Sequence, residues 1–329
     1  MKHCLVVAFC LVIGLPVIGQ QSTEKQVAAR VAERKARTTF TGSAPFTPAE
    51  VPALRAALVG AVLEDAVFMM ASPEALAAVI AQRPEQLTLA IPTADGPVEL
   101  DLVRAEIYSE GFSMVAASVD APVEHTAGVH YRGIIAGQPN TLAAISIFPD
   151  EVMGFVSDAD GNHVLGKLEG GTQEHIYYAD KDLIDPPVFD CATPDGVVSH
   201  PERLSKDQGP AKTLRCVDLY WEVDHDIFLD KGGLTNTSNH ITGLFNQHAA
   251  LFDNDGISVL LSELFIWDVP SPYTGTTTDA LLEQFLAYRN GFNGDVANLL
   301  GNAVLGGLAY LDGLCASNPD YSMCYSGIG

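Results

Sequence analysis

The chain has 329 residues, 47% of them apolar, which is enough for two ordinary domains with cores of their own. Its 41 acidic and 18 basic residues leave a formal net charge of -23. A field of that sign repels polyphosphate backbones and anionic membrane surfaces, so nucleic acid is excluded as an expected partner. The apolar content likewise excludes a disordered chain.

The first residues read as a secretory signal peptide. Lys2 supplies the positive start, Leu5 to Ile18 is almost wholly apolar, and Val17-Ile18-Gly19 precedes an expected cleavage point at Gln20. A run of about fourteen apolar residues falls short of the roughly 20 that span a bilayer. The expected mature protein is therefore secreted, extracellular and without stable membrane insertion once residues 1–19 are removed. Cys4 and Cys10 leave with that segment, and Cys191, Cys216, Cys315 and Cys324 remain. Export permits disulfides, and four cysteines allow three pairings. A local bridge between Cys315 and Cys324, across the turn-forming Ser317-Asn318-Pro319-Asp320, is the first expectation.

Residues 20–46 are polar and basic and read as a flexible or helical lead-in. Thr47-Pro48-Ala49-Glu50 has the form of a helix start, with Val51, Leu54, Leu58 and Val62 following at helical spacing. Ser72-Pro73-Glu74 opens a second helix. Short strands rich in Val, Ile and Tyr follow, at Leu87–Ile91, Val98–Tyr108, Ser113–Ser118, His130–Ala136, Leu142–Phe148, Val152–Ser157, His163–Leu168 and His175–Tyr178. Residues 47–183 thus predict a mostly antiparallel β domain. Prolines 186, 187, 194, 201 and 210 mark residues 184–212 as a linker, of a composition that proteases often cut.

Residues 213–329 read differently. Leu214–Val223 and Ile257–Leu264 are strands, Ser238 to Phe252 is an amphipathic helix, and Thr277 or Thr278 caps a helix over Asp279–Arg289. Val296–Leu300 and Gly307–Leu311 complete a mixed, mostly parallel α/β sheet. The whole chain is expected to be α+β.

Two stretches carry a family resemblance. Arg215-Cys216-Val217-Asp218-Leu219-Tyr220-Trp221-Glu222-Val223-Asp224-His225, read with Gly306-Gly307-Leu308-Ala309-Tyr310-Leu311, resembles the front half of a metzincin zinc protease domain of the reprolysin or adamalysin branch. His130-Tyr131-Arg132-Gly133-Ile134, Ala143-Ala144-Ile145-Ser146 and Val152-Met153-Gly154-Phe155 look like the propeptide region of such precursors. The resemblance implies a secreted zinc metalloendopeptidase precursor: a propeptide that packs on its own catalytic domain, followed by the upper part of that domain. Gly307, Leu308 and Ala309 would then be the edge strand that binds an extended peptide substrate. Cys191 would be either a cysteine switch on zinc or a structural cysteine available to Cys216. Asp218 and Asp295 match positions that bind a structural calcium ion, with ordinary surface or turn acids as the alternative.

The chemistry that the resemblance implies needs three imidazoles on zinc and a glutamate base, in H-E-x-x-H-x-x-G-x-x-H. No H-E-x-x-H occurs in the 329 residues. The expectation is an N-terminal fragment without zinc-dependent peptidase activity; the rival is a secreted peptide-binding or inhibitory module. His240 and His248 lie two helical turns apart, about 12 Å, too far for one metal, and His125 and His130 would point to opposite faces of a regular strand. Asp158-Ala159-Asp160-Gly161-Asn162 and Asp253-Asn254-Asp255-Gly256 read as turns.

Overall fold

The computed structural model describes residues 25–186, 216–311, 313, 314, 316 and 318–329. The signal-like residues, Cys191, Cys315 and nearly all of the 184–212 linker lie outside the described residues. In chain order the first half contains α1 (Gln26–Arg37), β1 (Thr41–Ser43), β2 (Phe46–Pro48), α2 (Ala53–Val59), β3 (Val67–Ala71), α3 (Pro73–Gln82), β4 (Gln86–Ile91) and β5 (Val98–Ala105). It continues through β6 (Tyr108–Ala116), β7 (Ala121–Pro122), β8 (Val129–Ile135), β9 (Leu142–Ile147), β10 (Val152–Asp158), β11 (Gly161–Lys167) and β12 (Glu174–Ala179). The second half contains β13 (Cys216–Val223), α4 (His225–Lys231), α5 (Leu234–Asn254), β14 (Ser258–Ile266), α6 (Thr278–Tyr288), β15 (Val296–Gly301), β16 (Gly306–Ala309) and β17 (Met323–Gly327). The described fold is α+β, with six α-helices and two mixed sheets.

The first sheet runs β1-β4-β5-β8-β9-β10-β11-β12-β3-β2, antiparallel except for the β1–β4 pair. Along β4 alternate residues Leu87, Leu89 and Ile91 enter the core while their neighbours stay partly exposed, the period of a half-buried strand. β9 is buried at every position because its other face carries a helix. The two margins of this sheet, β1 and β2, are separated in sequence only by Ala44 and Pro45. A chain advances at most about 3.6 Å per residue, so the margins lie side by side. The sheet therefore curls into a near-closed barrel around Leu89, Leu100, Tyr131, Ile145 and Val152.

The second sheet runs β16-β17-β15-β13-β14-β6-β7. Its inner pairs are parallel, and the β16–β17 and β6–β7 pairs are antiparallel. Alternation along β13 sends Trp221 and Val223 to one face, where Ile241, Phe245 and Ala249 of α5 cover them. Tyr220 goes to the other face, with Leu281, Leu282 and Phe285 of α6. The outer strands β6 and β7 come from the first half of the chain. β5 ends at Ala105, and the chain crosses from one sheet to the other over Glu106 and the fully buried Ile107. Val98–Tyr108, expected as one strand, is thus split between two sheets.

Several other expectations are corrected. No helix starts at Thr47: Phe46 is buried and pairs with Ala71, and the helix begins after Pro52. Pro52 holds Val51 extended, which delays the start. Leu54, Leu58 and Val62, read at helical spacing, are exposed. Of the flexible and helical readings of the basic lead-in, the helix is the one present: α1 buries Val27, Ala28 and Val31. The Ser72 start is where the sequence puts it, and the Ser72 hydroxyl accepts from the Ala75 N–H. β1, β2, β3, β7, α4 and β17 were not expected. Among the described residues no helix is long and apolar enough to cross a membrane.

Candidate functional site

The region singled out in the sequence is the β16 margin. β16 has β17 on one side, in the register Gly306↔Gly327, Gly307↔Ser326, Leu308↔Tyr325 and Ala309↔Cys324, and no strand on the other side among the described residues. Leu308 joins the core under α6, so Gly307 and Ala309 face the opposite way. An edge strand directs alternate main-chain N–H and C=O groups outward, a template for an extended chain. Small residues at 306, 307 and 309 keep that margin open to close backbone approach. Leu305, Leu311 and Leu314 around it are exposed apolar side chains.

Below this margin, on the α5 face, lies a groove of about 550 Å³ lined by Trp221, Leu244, His248, Leu251, Leu300 and Ile328, among others. α5 lies against β14 and the first sheet, and Phe155 of β10 and Asn162 of β11 line the groove together with α5 and the ends of β15 and β17. The His248 ring packs edge-on against Trp221, centroids 5.6 Å apart, and against Phe252 at 5.0 Å. Burial pushes its pKa down and keeps it neutral.

Asp218 and Asp295, 77 positions apart, are brought together at the start of β13. The Asp218 N–H donates to Asp295 Oδ2 at 2.9 Å, and the Asp295 N–H donates to the Asp218 carbonyl at 2.6 Å. Gly294 makes this possible, since a Cβ there would sit 2.8 Å from the Asp218 carbonyl oxygen and 2.9 Å from Ser262 Oγ. Burial, and then the neighbouring Asp295 charge, raise the Asp218 pKa. Two carboxylates placed like this repel in the absence of a cation.

No group of three or more His, Cys, Asp or Glu side chains is placed to hold a metal among the described residues. His125 and His130 do not point apart as a regular strand would require, because His125 precedes β8. Both contact the Tyr108 ring, at 5.5 and 6.0 Å between centroids. His125 Nε2 meets the Tyr108 hydroxyl at 3.1 Å, and His130 Nδ1 meets Ser146 Oγ at 2.9 Å. Burial pushes His130 down to about 3 and His240 to about 4. Cys216 is exposed, 3.4 Å from Ser258 Oγ. The half-buried Cys324 donates its thiol to the Ala297 carbonyl, and desolvation of the sulfur pushes its pKa up to about 12. Asp158 to Asn162 form the tight β10–β11 hairpin. Asp253, read as part of a turn, instead pairs with Arg30 and Arg132.

Two constellations went unread in the sequence. Glu222, fully buried, accepts from Tyr220 (2.7 Å), Tyr273 (2.5 Å) and Trp267 Nε1 (2.7 Å), and Arg289 lies 2.7 Å away. Burial disfavours the Arg289 charge, but contact with Glu222 outweighs it and raises the pKa. At the carboxyl ends of β13, β14 and β15 a cavity of about 390 Å³ contains Asp224, His225, Asp226, Ser271 and Tyr273. There Ser271 donates to Asp224 Oδ1 at 2.5 Å, and the N–H groups of Asn302 and Ala303 donate to Asp226 Oδ2 at 2.9 and 2.8 Å. The one available signal was the Glu222-Val223-Asp224-His225-Asp226 run, polar residues closing a buried strand.

No family model matches the chain, and no curated protein matches it. Among solved structures it is similar to metalloproteinase-II from Bacteroides fragilis, with a TM-score of 0.44 and 11% identity, covering 77% of this chain and 79% of that one. A likeness so loose assigns neither topology nor chemistry here.

Proposed function

We propose that this chain is the N-terminal portion of a secreted zinc metalloendopeptidase precursor of the reprolysin-like metzincin group. Its first half is the propeptide-like part, and its second half the upper part of the catalytic domain. The observation that carries the reading is β16: a small-residue, antiparallel margin of a sheet whose inner pairs are parallel, with no strand on its outer side among the described residues and a groove opening along the neighbouring β17 and β15. An extended peptide would add to β16 through main-chain hydrogen bonds. The zinc that the group requires finds no ligand set among the described residues, and the sequence lacks H-E-x-x-H. No step of hydrolysis is therefore assigned to these side chains. On this reading the zinc helix belongs to further sequence and would lie in the groove beside α5. Asp218 and Asp295 would contribute to a calcium site whose other ligands come from that same sequence.

The uncovered margin without metal ligands also suits a second reading, a non-catalytic peptide-binding or inhibitory module. Two measurements separate the readings. The reading frame beyond codon 329 is expected to encode H-E-x-x-H-x-x-G-x-x-H within a few tens of residues; a stop codon there would favour the binding module. Extended peptides should bind the purified chain, followed by fluorescence anisotropy, and Gly307→Pro should weaken that binding at least tenfold by disrupting the margin. Unchanged binding in Gly307→Pro would sink both readings of the β16 margin.

A further inference from the structure

The strand order of the second sheet reverses at β13, which pairs in parallel with β14 on one side and β15 on the other. The chain passes from β13 to β14 over α5 on one face, and from β14 to β15 over α6 on the opposite face. At such a strand the loops leaving the carboxyl ends part and open a crevice suited to a ligand. The cavity of about 390 Å³ lies there, between Asp224 and Asp226 after β13, Ser271 and Tyr273 after β14, and Ala303 after β15. That volume is in the range of small-molecule sites.

Hydrogen bonding around the cavity is one-sided. Asp224 is only 9% exposed, and its bonds from Ser271 Oγ (2.5 Å) and the His225 N–H (2.6 Å) both end on Oδ1, which leaves Oδ2 for a ligand. Asp226 Oδ2 accepts from the Asn302 and Ala303 N–H groups, while Asp226 Oδ1 is buried without any partner. A buried acceptor left unpaired is costly. Side-chain donors nearby are engaged elsewhere: the Tyr273 hydroxyl donates to Glu222, the Tyr325 hydroxyl to the Val304 carbonyl, and His225 Nδ1 to the Trp267 carbonyl. The Thr274 hydroxyl, which accepts from Gln284 Nε2 (3.3 Å), keeps its hydrogen. Burial raises the Asp224 pKa, and the Asp226 charge adds to that rise, a repulsion that a bound cation relieves. No third His, Cys, Asp or Glu completes a metal site among the described residues, so the fitting cation is one that brings several N–H donors of its own.

We propose that this cavity binds a small organic cation, an ammonium or guanidinium head on a short aliphatic stem. Asp224 and Asp226 take the head through charge-assisted hydrogen bonds, and Leu229, Pro270 and Leu281 supply an apolar wall for the stem. The net charge of -23 draws such ligands to the mouth. The cavity shares no lining residue with the groove beside α5, and the proposal rests on neither reading of β16.

The test is isothermal titration of the full chain at neutral pH. Agmatine and cadaverine are the free cations, an acetylated arginine-glycine amide offers the same head on a peptide, and 1-pentanol is the uncharged control. One site per chain is expected for the cations and no heat from pentanol; whichever of agmatine and the peptide binds more tightly names the source of the ligand. Asp226→Asn keeps an oxygen for the two N–H groups and sets a donor where the unpaired oxygen was, so it should raise Kd by about tenfold or more. Asp224→Asn should do the same. Should both fail to fold, Leu229→Lys, at an exposed rim position, sets a tethered cation at the mouth and should weaken binding by about fivefold. Absence of binding by every cation, affinities unchanged in the variants, or displacement of agmatine by an equal concentration of calcium would overturn the proposal.

Discussion

Two ion-paired carboxylates, Glu222 fully buried and Asp253 half-buried, show how this molecule is divided. Glu222 lies wholly inside the second half, inaccessible, with Tyr220, Trp267, Tyr273 and Arg289 around it. Asp253 lies at the joint between the two halves and answers two arginines from the first half, one of them, Arg30, about a third exposed. Burial disfavours the Asp253 charge, yet its contacts with Arg30 and Arg132 prevail and hold its pKa below the usual range. The first carboxylate binds one layer to itself; the second makes two layers one body. Charges sealed from water depend on their partners far more than charges that water can reach.

That contrast gives the largest expected effect. Glu222→Ala strands the Arg289 charge against Phe265 and Tyr220 and should cost about 3–5 kcal/mol in urea unfolding. Asp253→Ala should cost less, about 1–3 kcal/mol, because Arg30 can turn to solvent. Equal losses would erase the distinction drawn between the two sites.

Acid should strain the joint next. His130, linked through Ser146 to Asn246, has a folded pKa of about 3 against an ordinary 6.5. Burial is the main cause, followed by the Arg132 and His125 charges. Below pH 6.5 the unfolded chain binds a proton that the folded chain refuses. Stability therefore falls as pH drops from 6.5 and levels off near 3, by about 1.4 kcal/mol per pH unit in between. His130→Phe should flatten that part of the stability curve measured by denaturation between pH 7 and 4; an unaltered slope would place the acid sensitivity elsewhere.

The smallest expected effects come from helix caps, one on each side of the joint. Ser72 caps α3 and Thr277 caps α6, each accepting from a main-chain N–H at 3.2 Å. Replacing either by Ala should cost roughly 1 kcal/mol. If the joint makes one cooperative unit, both variants shift a single unfolding transition, read by tryptophan fluorescence and circular dichroism together. Two separable transitions, each moved by one variant alone, would show that the halves unfold apart.

What the sequence made legible follows from where the physics is local. Ser72-Pro73 and Thr277 announce helix starts because a hydroxyl three residues from an N–H needs no distant partner. β4, β8 to β12 and β13 to β15 are readable because alternating or continuous apolar runs survive in a single segment. The assignment of β6 to the second sheet is not readable, since its neighbour Glu263 lies 150 positions beyond Ser113. Glu222 and Asp253 were passed over for the same reason: each looks like an ordinary acid until Arg289 or Arg132 arrives from far along the chain. The Asp218 and Asp295 pairing was suggested only by resemblance, and the structure supplies its geometric cause in Gly294.

The short Thr41–Pro48 segment has a consequence of its own. By drawing β1 and β2 together with only two residues between them, it works as a hoop that leaves the ten-stranded sheet almost no margin on which a foreign strand could start. The second sheet ends at β7, two residues long and carrying Pro122, which has no N–H to offer. Among the described residues, β16 is the one margin strand of four residues or more. A chain that has closed or blunted its other margins directs any strand that joins it to one address.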